Sequence, residues 1–384
     1  MSIIKSFRNF FRSGTIGGII LIGCVIVSMC IANSTWGPHL ENILAYEFGS
    51  ESAGLRLSVL LWINDALMAI FFLLIGLEIK REIIEGELSS FKKASLPVLA
   101  ACGGAIVPAL IYFILNKNQP GETGWGIPMA TDIAFALGIL ALLGKKVPAS
   151  LKIFLAALAI ADDLIAILVI AFFYSDELHT VNLLYAGGIF LLMLLLNRFG
   201  VKSILMYLIP GIFMWYFIHH SGIHATIAGV LTAFTLPTTP GKDISPLEKL
   251  EHSLTVPVNY FIMPIFALAN TNISLEHAST ENITENISLG IIIGLVLGKP
   301  VGITLLSWLS VKVGWSRLPA NSGWKHILGV GMLGGIGFTM SIFIALLSFS
   351  DEAHQNTAKI AILIASIIAA VAGLLFLYSV RKKL

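Results

Sequence analysis

The stretch Ala159-Ile160-Ala161-Asp162-Asp163-Leu164-Ile165-Ala166 decides the fold. It lies near the middle of an apolar run, 149–174, and a run of about 20 apolar residues suffices to span a bilayer. A charge at that depth costs about 2.5–3.5 kcal/mol on insertion scales, so an intramembrane carboxylate is read as functional by default. Neighbouring helical residues point about 100° apart, and the two side chains need not face each other. They still share one poorly solvated place, where full ionisation of both is disfavoured without a cation between them or a fixed basic partner.

The rest of the chain agrees with a lipid solvent. Its 384 residues are 57% hydrophobic and 12% charged, with a mean hydropathy of +0.89, whereas a soluble domain carries about 25% charged residues. The formal net charge of +2 says little by itself, and no nucleic-acid partner is expected. Cys24, Cys30 and Cys102 lie in apolar stretches without metal-ligand spacing and read as buried, inert thiols. The run from Thr15 to Ala32 is too long for the apolar part of a signal peptide and reads as a first span.

Apolar segments separated by short charged loops predict about twelve spans, at 15–33, 57–80, 95–115, 122–143, 149–174, 181–197, 203–219, 222–237, 254–272, 287–311, 326–348 and 357–380. Basic residues test the count. With Lys5, Arg8 and Arg12 in the cytoplasm, so are Lys80, Arg81, Lys92, Lys93, Lys145, Lys146, Arg198, Lys202, Lys242, Lys249, Lys312, Arg317, Lys325 and the tail Arg381, Lys382 and Lys383. The opposite loops hold only Arg56, Lys117 and Lys359. This is the positive-inside pattern, with both termini cytoplasmic.

Besides Asp162 and Asp163, two more acids lie within spans, Asp65 and Asp132, and one lysine, Lys299, has similar depth. Helix gluing by a buried salt bridge is a real alternative for a single membrane aspartate, and a poor one for an adjacent pair with two further acids and a lysine. A dehydrated sodium ion wants the hard oxygens that carboxylates, hydroxyls and carbonyls supply, so protons and sodium compete for the same atoms. Lys299 stands among Gly298, Pro300 and Gly302, which admit close backbone approach and weaken the helix ladder around it. Two spans look broken, one at Pro128 ahead of Thr131 and Asp132, the other from Gly331 to Ser341. Freed backbone groups at such breaks are tolerated only inside protein or along a cavity, and Asp132 and Lys299 suit the positive and negative half-helix ends. An intramembrane aspartyl protease would need a Gly-x-Gly-Asp signature that is absent, and a retinal protein a long aromatic pocket around Lys299.

Longer motifs follow the same residues: Trp62 to Glu82 (with Asn64-Asp65 and Glu78-Ile79-Lys80-Arg81-Glu82), Pro128-Met-Ala-Thr-Asp132, Ala161-Asp-Asp163, His220-Ser-Gly-Ile-His224, Leu250-Glu-His252, Pro264-Ile-Phe-Ala-Leu-Ala-Asn270, Gly298-Lys-Pro-Val-Gly302 and Gly335-Ile-Gly-Phe-Thr-Met-Ser-Ile-Phe343. In this order, over about residues 60 to 345, the sequence closely resembles the NhaA family of sodium/proton antiporters, itself a standard example of inverted-repeat transporters with broken helices. The resemblance implies an all-α integral membrane fold of about twelve helices, with inverted repeats and two broken, crossing helices. It implies one transmembrane antiporter domain over 1–384, in a bacterial inner membrane. Asp163 would be the principal cation ligand, with Asp162 beside it and paired to Lys299 in the proton-loaded state. Asp132 and Thr131 would support the crossing, opposite Gly334, Gly335, Gly337, Thr339 and Ser341.

The activity implied is electrogenic, pH-activated exchange of cytoplasmic sodium or lithium for external protons, with no catalytic residues and no cofactor. Glu78, Arg81, Glu82, His224, Glu251 and His252 match residues tied to pH sensing at the entrance, and Asp65 matches a carboxylate on the outward side. Two departures stand out. Thr255-Val256-Pro257 follows Glu251 where the family often has a further histidine, and Ala66 stands where glycine is usual. The outward loop 36–56 corresponds to a segment that joins two subunits, so a homodimer is expected.

Overall fold

The computed structural model describes residues 2–175, 178–238, 244–273 and 285–380. Lys242, Arg381, Lys382 and Lys383 lie outside the described residues. Apart from one short two-stranded ladder, the described chain is helical. In order it forms α1 (Ser2–Ala32), α2 (Gly37–Ala45), β1 (Glu47–Phe48), β2 (Leu57–Ser58), α3 (Val59–Ile84), α4 (Phe91–Asn116), a 3-10 segment (Glu122–Met129) and α5 (Ile133–Leu142). Then come α6 (Ala149–Phe173), α7 (Thr180–Arg198), α8 (Leu205–His219), α9 (Ile227–Thr235), α10 (Pro246–Asn270), α11 (Asn286–Val313), α12 (Trp324–Gly334), α13 (Phe338–Ser348) and α14 (Glu352–Ser379). Eight segments are long and apolar enough to cross a membrane, one of them, Glu122–Leu142, being the 3-10 segment together with α5, and α12 with α13 makes a further one bent by 49° at its break.

Each of the twelve expected spans meets a helical segment, and the differences have local causes. The span expected at 254–272 begins earlier, at Pro246, because Ser245 and Glu248 form a reciprocal capping box. The last span likewise starts at Glu352, where the Asp351 side chain accepts from the first-turn amides. Hydropathy is blind to such polar first turns. The span expected at 222–237 shortens to the nine residues of α9, since the chain from His220 to Thr226 is turns, with Gly222 at φ +83°. All three cysteines are free, but none is fully buried as expected: Cys24 and Cys102 are half-buried and Cys30 is exposed.

Among the described residues, three π-helical turns interrupt the longer helices, at Ile63–Leu67, Val258–Ile262 and Gly294–Gly298. The last two end two residues before Pro264 and Pro300. A proline has no amide to give and its ring pushes away the carbonyl four residues back. The ladder responds by bonding one residue further: Met263 N–H reaches the Val258 carbonyl and Lys299 N–H the Gly294 carbonyl.

The described chain divides into two compact units, residues 1–22, 87–166 and 273–384, and residues 23–86 and 167–272. In the first, α4 packs along α11, and α11 and α14 flank α12. Gly103 and Gly302 make the closest approach, since a Cβ built on either lies 2.1 Å from the other's carbonyl oxygen. In the second unit α3 packs on α9 and α7 on α8, around buried Leu77, Met193, Tyr207, Met214, Leu236 and Leu247.

Replacing Gly302 by leucine therefore forces α4 and α11 apart beside Lys299. Overpacking of this kind costs about 1–3 kcal/mol, and we expect a lower thermal midpoint in detergent and less folded protein. An unchanged midpoint would contradict the close packing.

Candidate functional site: two helix breaks, three aspartates and a lysine

The 3-10 segment packs against α13, and α5 against α12. The first half of one interrupted segment thus meets the second half of the other, as antiparallel segments crossing at their breaks must. At the crossing both chains are extended or bent, over Ala130–Asp132 and Gly335–Gly337. The Asp132 amide donates to the Ile336 carbonyl at 2.7 Å, the Thr131 hydroxyl to the Gly334 carbonyl at 2.8 Å, and the Ser341 hydroxyl to the Ile127 carbonyl at 2.8 Å.

Asp132 caps both helices that start here. Its Oδ1 accepts from the Phe135 amide of α5 at 3.0 Å. Its Oδ2 accepts from the Thr339 amide at 3.3 Å and the Thr339 hydroxyl at 2.5 Å, in the first turn of α13. A carboxylate is the right group there, because a helix N-terminus carries about half a positive charge and orphan amides. Phe338 opens α13 at φ +22°, and its amide donates to Ser366 Oγ of α14 at 3.1 Å. Such a backbone costs about 1–3 kcal/mol and persists where surrounding contacts over-determine it.

Lys299 and Thr131 are fully buried, and Asp132, Asp162 and Asp163 are at most 2% exposed. The Lys299 ammonium donates to Asp162 Oδ2 at 2.5 Å and to the Thr131 hydroxyl at 2.8 Å. Since that hydroxyl donates on to Gly334, the ammonium is linked through it to the carbonyl end of α12. Taking both charges out of water is expensive, and the pair is tolerable only with close contact and further hydrogen bonds. Asp162 Oδ1 is buried without a hydrogen-bond partner. Asp163 follows on α6, turned from Asp162 by one helical step. Gly335 has no room for a side chain, as its Cβ would lie 2.3 Å from the Leu295 carbonyl, within the π turn ahead of Lys299. The unit thus brings together Asp132, Asp162, Thr131, Lys299, Gly334, Thr339 and Ser341.

The second unit holds the other candidates. Arg81 bonds Glu251 at 3.1 Å and Glu82 at 3.4 Å, and Glu78 and Glu248 also lie within its electrostatic reach. His252 adjoins Glu251 electrostatically. His224 lies just ahead of α9. Lys80 caps the other end of that helix through the Phe234 and Leu236 carbonyls at 2.7 and 2.6 Å, about 13 Å along the axis. The Thr255 hydroxyl donates to the Glu251 carbonyl of its own helix at 2.8 Å. Asp65 sits in the first π turn and pairs with His219 at 3.1 Å. The His219 ring stacks on Trp215. Neither His219 nor the Asn64–Asn270 pair, bonded at 2.8 and 3.2 Å, was singled out from the sequence. The doublet His219-His220 at a span end and Asn270 in an apolar run were the available signals.

Interrupted helices meeting in mid-span around buried, partly balanced charges define a secondary ion transporter, in which binding oxygens come from unwound backbone and side chains. The family described as "Na+/H+ antiporter 1" matches residues 8–377. "Na(+)/H(+) antiporter NhaA 2" of Flavobacterium johnsoniae is 65% identical over 99% of this chain and 94% of its own. The NhaA of Flavobacterium psychrophilum is 52% identical over 100% and 98%, and that of Helicobacter pylori 45% over 98% and 96%. Among solved structures, the sodium proton antiporter MjNhaP1 from Methanocaldococcus jannaschii shares the fold, with a TM-score of 0.54 at 15% identity over 97% of this chain and 100% of that one. The chain belongs to the NhaA family of Na+/H+ antiporters, multi-pass membrane transporters and not enzymes.

If Asp132 holds the crossing, Asp132→Ala strands three donors in a dry place. Each unsatisfied buried group costs about 1–3 kcal/mol. We expect a markedly lower thermal midpoint for Asp132→Ala than for Asp132→Asn, which keeps an acceptor oxygen. Equal midpoints would show that the caps contribute little.

Proposed function

We propose that the protein exchanges cytoplasmic sodium or lithium for external protons electrogenically, with Asp163 as principal cation ligand and Asp162, Thr131 and Asp132 beside it. The observation that carries this reading is the buried cluster of three carboxylates and one ammonium, a formal charge of −2 where nothing stays highly charged. The four half-helix ends add partial charges of both signs that roughly cancel. Two protons would neutralise the cluster fully, and one sodium ion only half. That difference supports an excess of protons over cations in each cycle, hence net charge movement. The Lys299–Asp162 contact supports a state in which the ammonium stands in for cargo. Entry of sodium would loosen this pair, with Lys299 as a group able to give up its proton.

For activation by pH, the supporting feature is the Arg81 cluster, with Glu78, Glu82, Glu248 and Glu251 around one guanidinium and His252 alongside. Four carboxylates against one arginine leave this group with an excess of negative charge, and a histidine beside it is the side chain most apt to answer a change near neutral pH. Thr255 carries no titrating group, so the set-point would differ from that of relatives with a histidine there. Asp65 and His219 lie toward the outward side in this reading, with the termini cytoplasmic and the membrane the bacterial inner membrane. A homodimer through the 36–56 loop is supported by the exposed side chains of Trp36, Ile43 and Tyr46 on α2 and its flanks.

Asp163→Asn is expected to abolish sodium- or lithium-driven proton release in everted vesicles while the protein still inserts and folds. Normal exchange by that variant would overturn the site. Lys299→Ala is expected to lower activity or shift its pH profile, read as a pH series in proteoliposomes with and without the lysine. Identical profiles would remove Lys299 from the proton path.

A further inference from the structure

The first turns of α4 and α6 and the loop after α11 enclose a cavity of about 270 Å³ that the transport reading does not use. Lys92, Lys93 and Arg317 line it together with Glu87, three cations against one carboxylate, for a net charge of +2. All three cations are exposed, and none takes part in an ion pair among the described residues. The inner wall is different, made by buried Leu96, Pro97 and Phe154. The loop after α11 is pinned on both sides: Ser95 Oγ donates to the Trp315 carbonyl at 3.0 Å and Ser150 Oγ to the Ala320 carbonyl at 2.5 Å. The cavity is therefore built into the fold.

Its depth can be read from the aromatic side chains. Trp308 and Trp315 are 42% and 54% exposed, and the Lys312 ammonium lies 4.6 Å from the Trp308 ring centre. Exposed tryptophans at the end of a span sit at headgroup level, and basic pockets between spans on the positive side suit anionic headgroups.

We propose that this cavity binds the headgroup phosphate of an anionic phospholipid from the surrounding leaflet. The phosphate lies among Lys92, Lys93 and Arg317, and the glycerol faces Leu96, Pro97 and Phe154. The acyl chains remain outside, along the flank where Phe91 and Val98 are exposed. A zwitterionic headgroup would bring an ammonium to a rim of net positive charge. Free phosphate would leave the apolar wall uncovered.

The test uses the purified full chain in a neutral detergent, with phosphatidylglycerol, phosphatidylethanolamine or inorganic phosphate added. Retained lipid is read by native mass spectrometry and stability by thermal midpoint. Phosphatidylglycerol is expected to stay bound and raise the midpoint, and the other two are not. Lys92→Gln, Lys93→Gln and Arg317→Gln combined should weaken retention by about tenfold or more, each surface cation contributing roughly fivefold. The swap Lys92→Arg, Lys93→Arg and Arg317→Lys should keep it. So should Arg198→Gln, Lys202→Gln and Lys249→Gln, which remove the same charge from other span ends. Equal stabilisation by phosphatidylethanolamine or by phosphate would overturn the proposal in the unaltered protein, and equal loss in the control triple would reduce it to general surface charge.

Discussion

A backbone amide or carbonyl that leaves a helix inside a bilayer must find its partner within the protein. The two breaks at Ala130–Asp132 and Gly335–Gly337 create such groups side by side, and the rest of the site follows from how they are satisfied. Asp132 serves the amides of both new helices with one carboxylate. Thr131 serves the carbonyl end of α12 and passes the bond on to Lys299. Lys299 is in turn fixed on Asp162. One chain of contacts therefore runs from backbone ends to the acid pair, and moving either break displaces charges that have no water to fall back on.

Much of this was legible in the sequence, because each constraint left a local mark. Span existence is written in hydropathy, and the breaks in Pro128 and in the glycines from 331 to 337. The need for Asp132 and Lys299 followed from depth alone. Pro300 marked a weakened ladder, although not that the helix would answer with a π turn ending two residues before it, as it also does before Pro264. What was not legible is pairing at long range. Nothing near Arg81 says that it meets Glu251, and nothing near Asp65 says that it meets His219. Those partners are set by packing of helices far apart in the chain. The family resemblance supplied Glu251 as a matched residue and did not supply His219. Helix starts at Pro246 and Glu352 were misjudged for a simpler reason, since their polar caps are invisible to hydropathy.

Both units place an excess of carboxylates around a single strong cation, and solvent separates their behaviour. The Lys299 and Asp162 side chains are 0% and 1% exposed. An imbalance there cannot relax by hydration or by counter-ions, so it can change only when a proton or metal ion enters or leaves through the protein. The Arg81 side chain keeps 30% of its exposure and Glu251 7%. The arginine side of that group is therefore open to solvent, while the carboxylate side stays poorly solvated. In the function proposed above, the same charge pattern would serve as a cargo site when sealed and as a group responsive to bulk pH when half open. On that proposal burial, more than residue type, would separate the two roles.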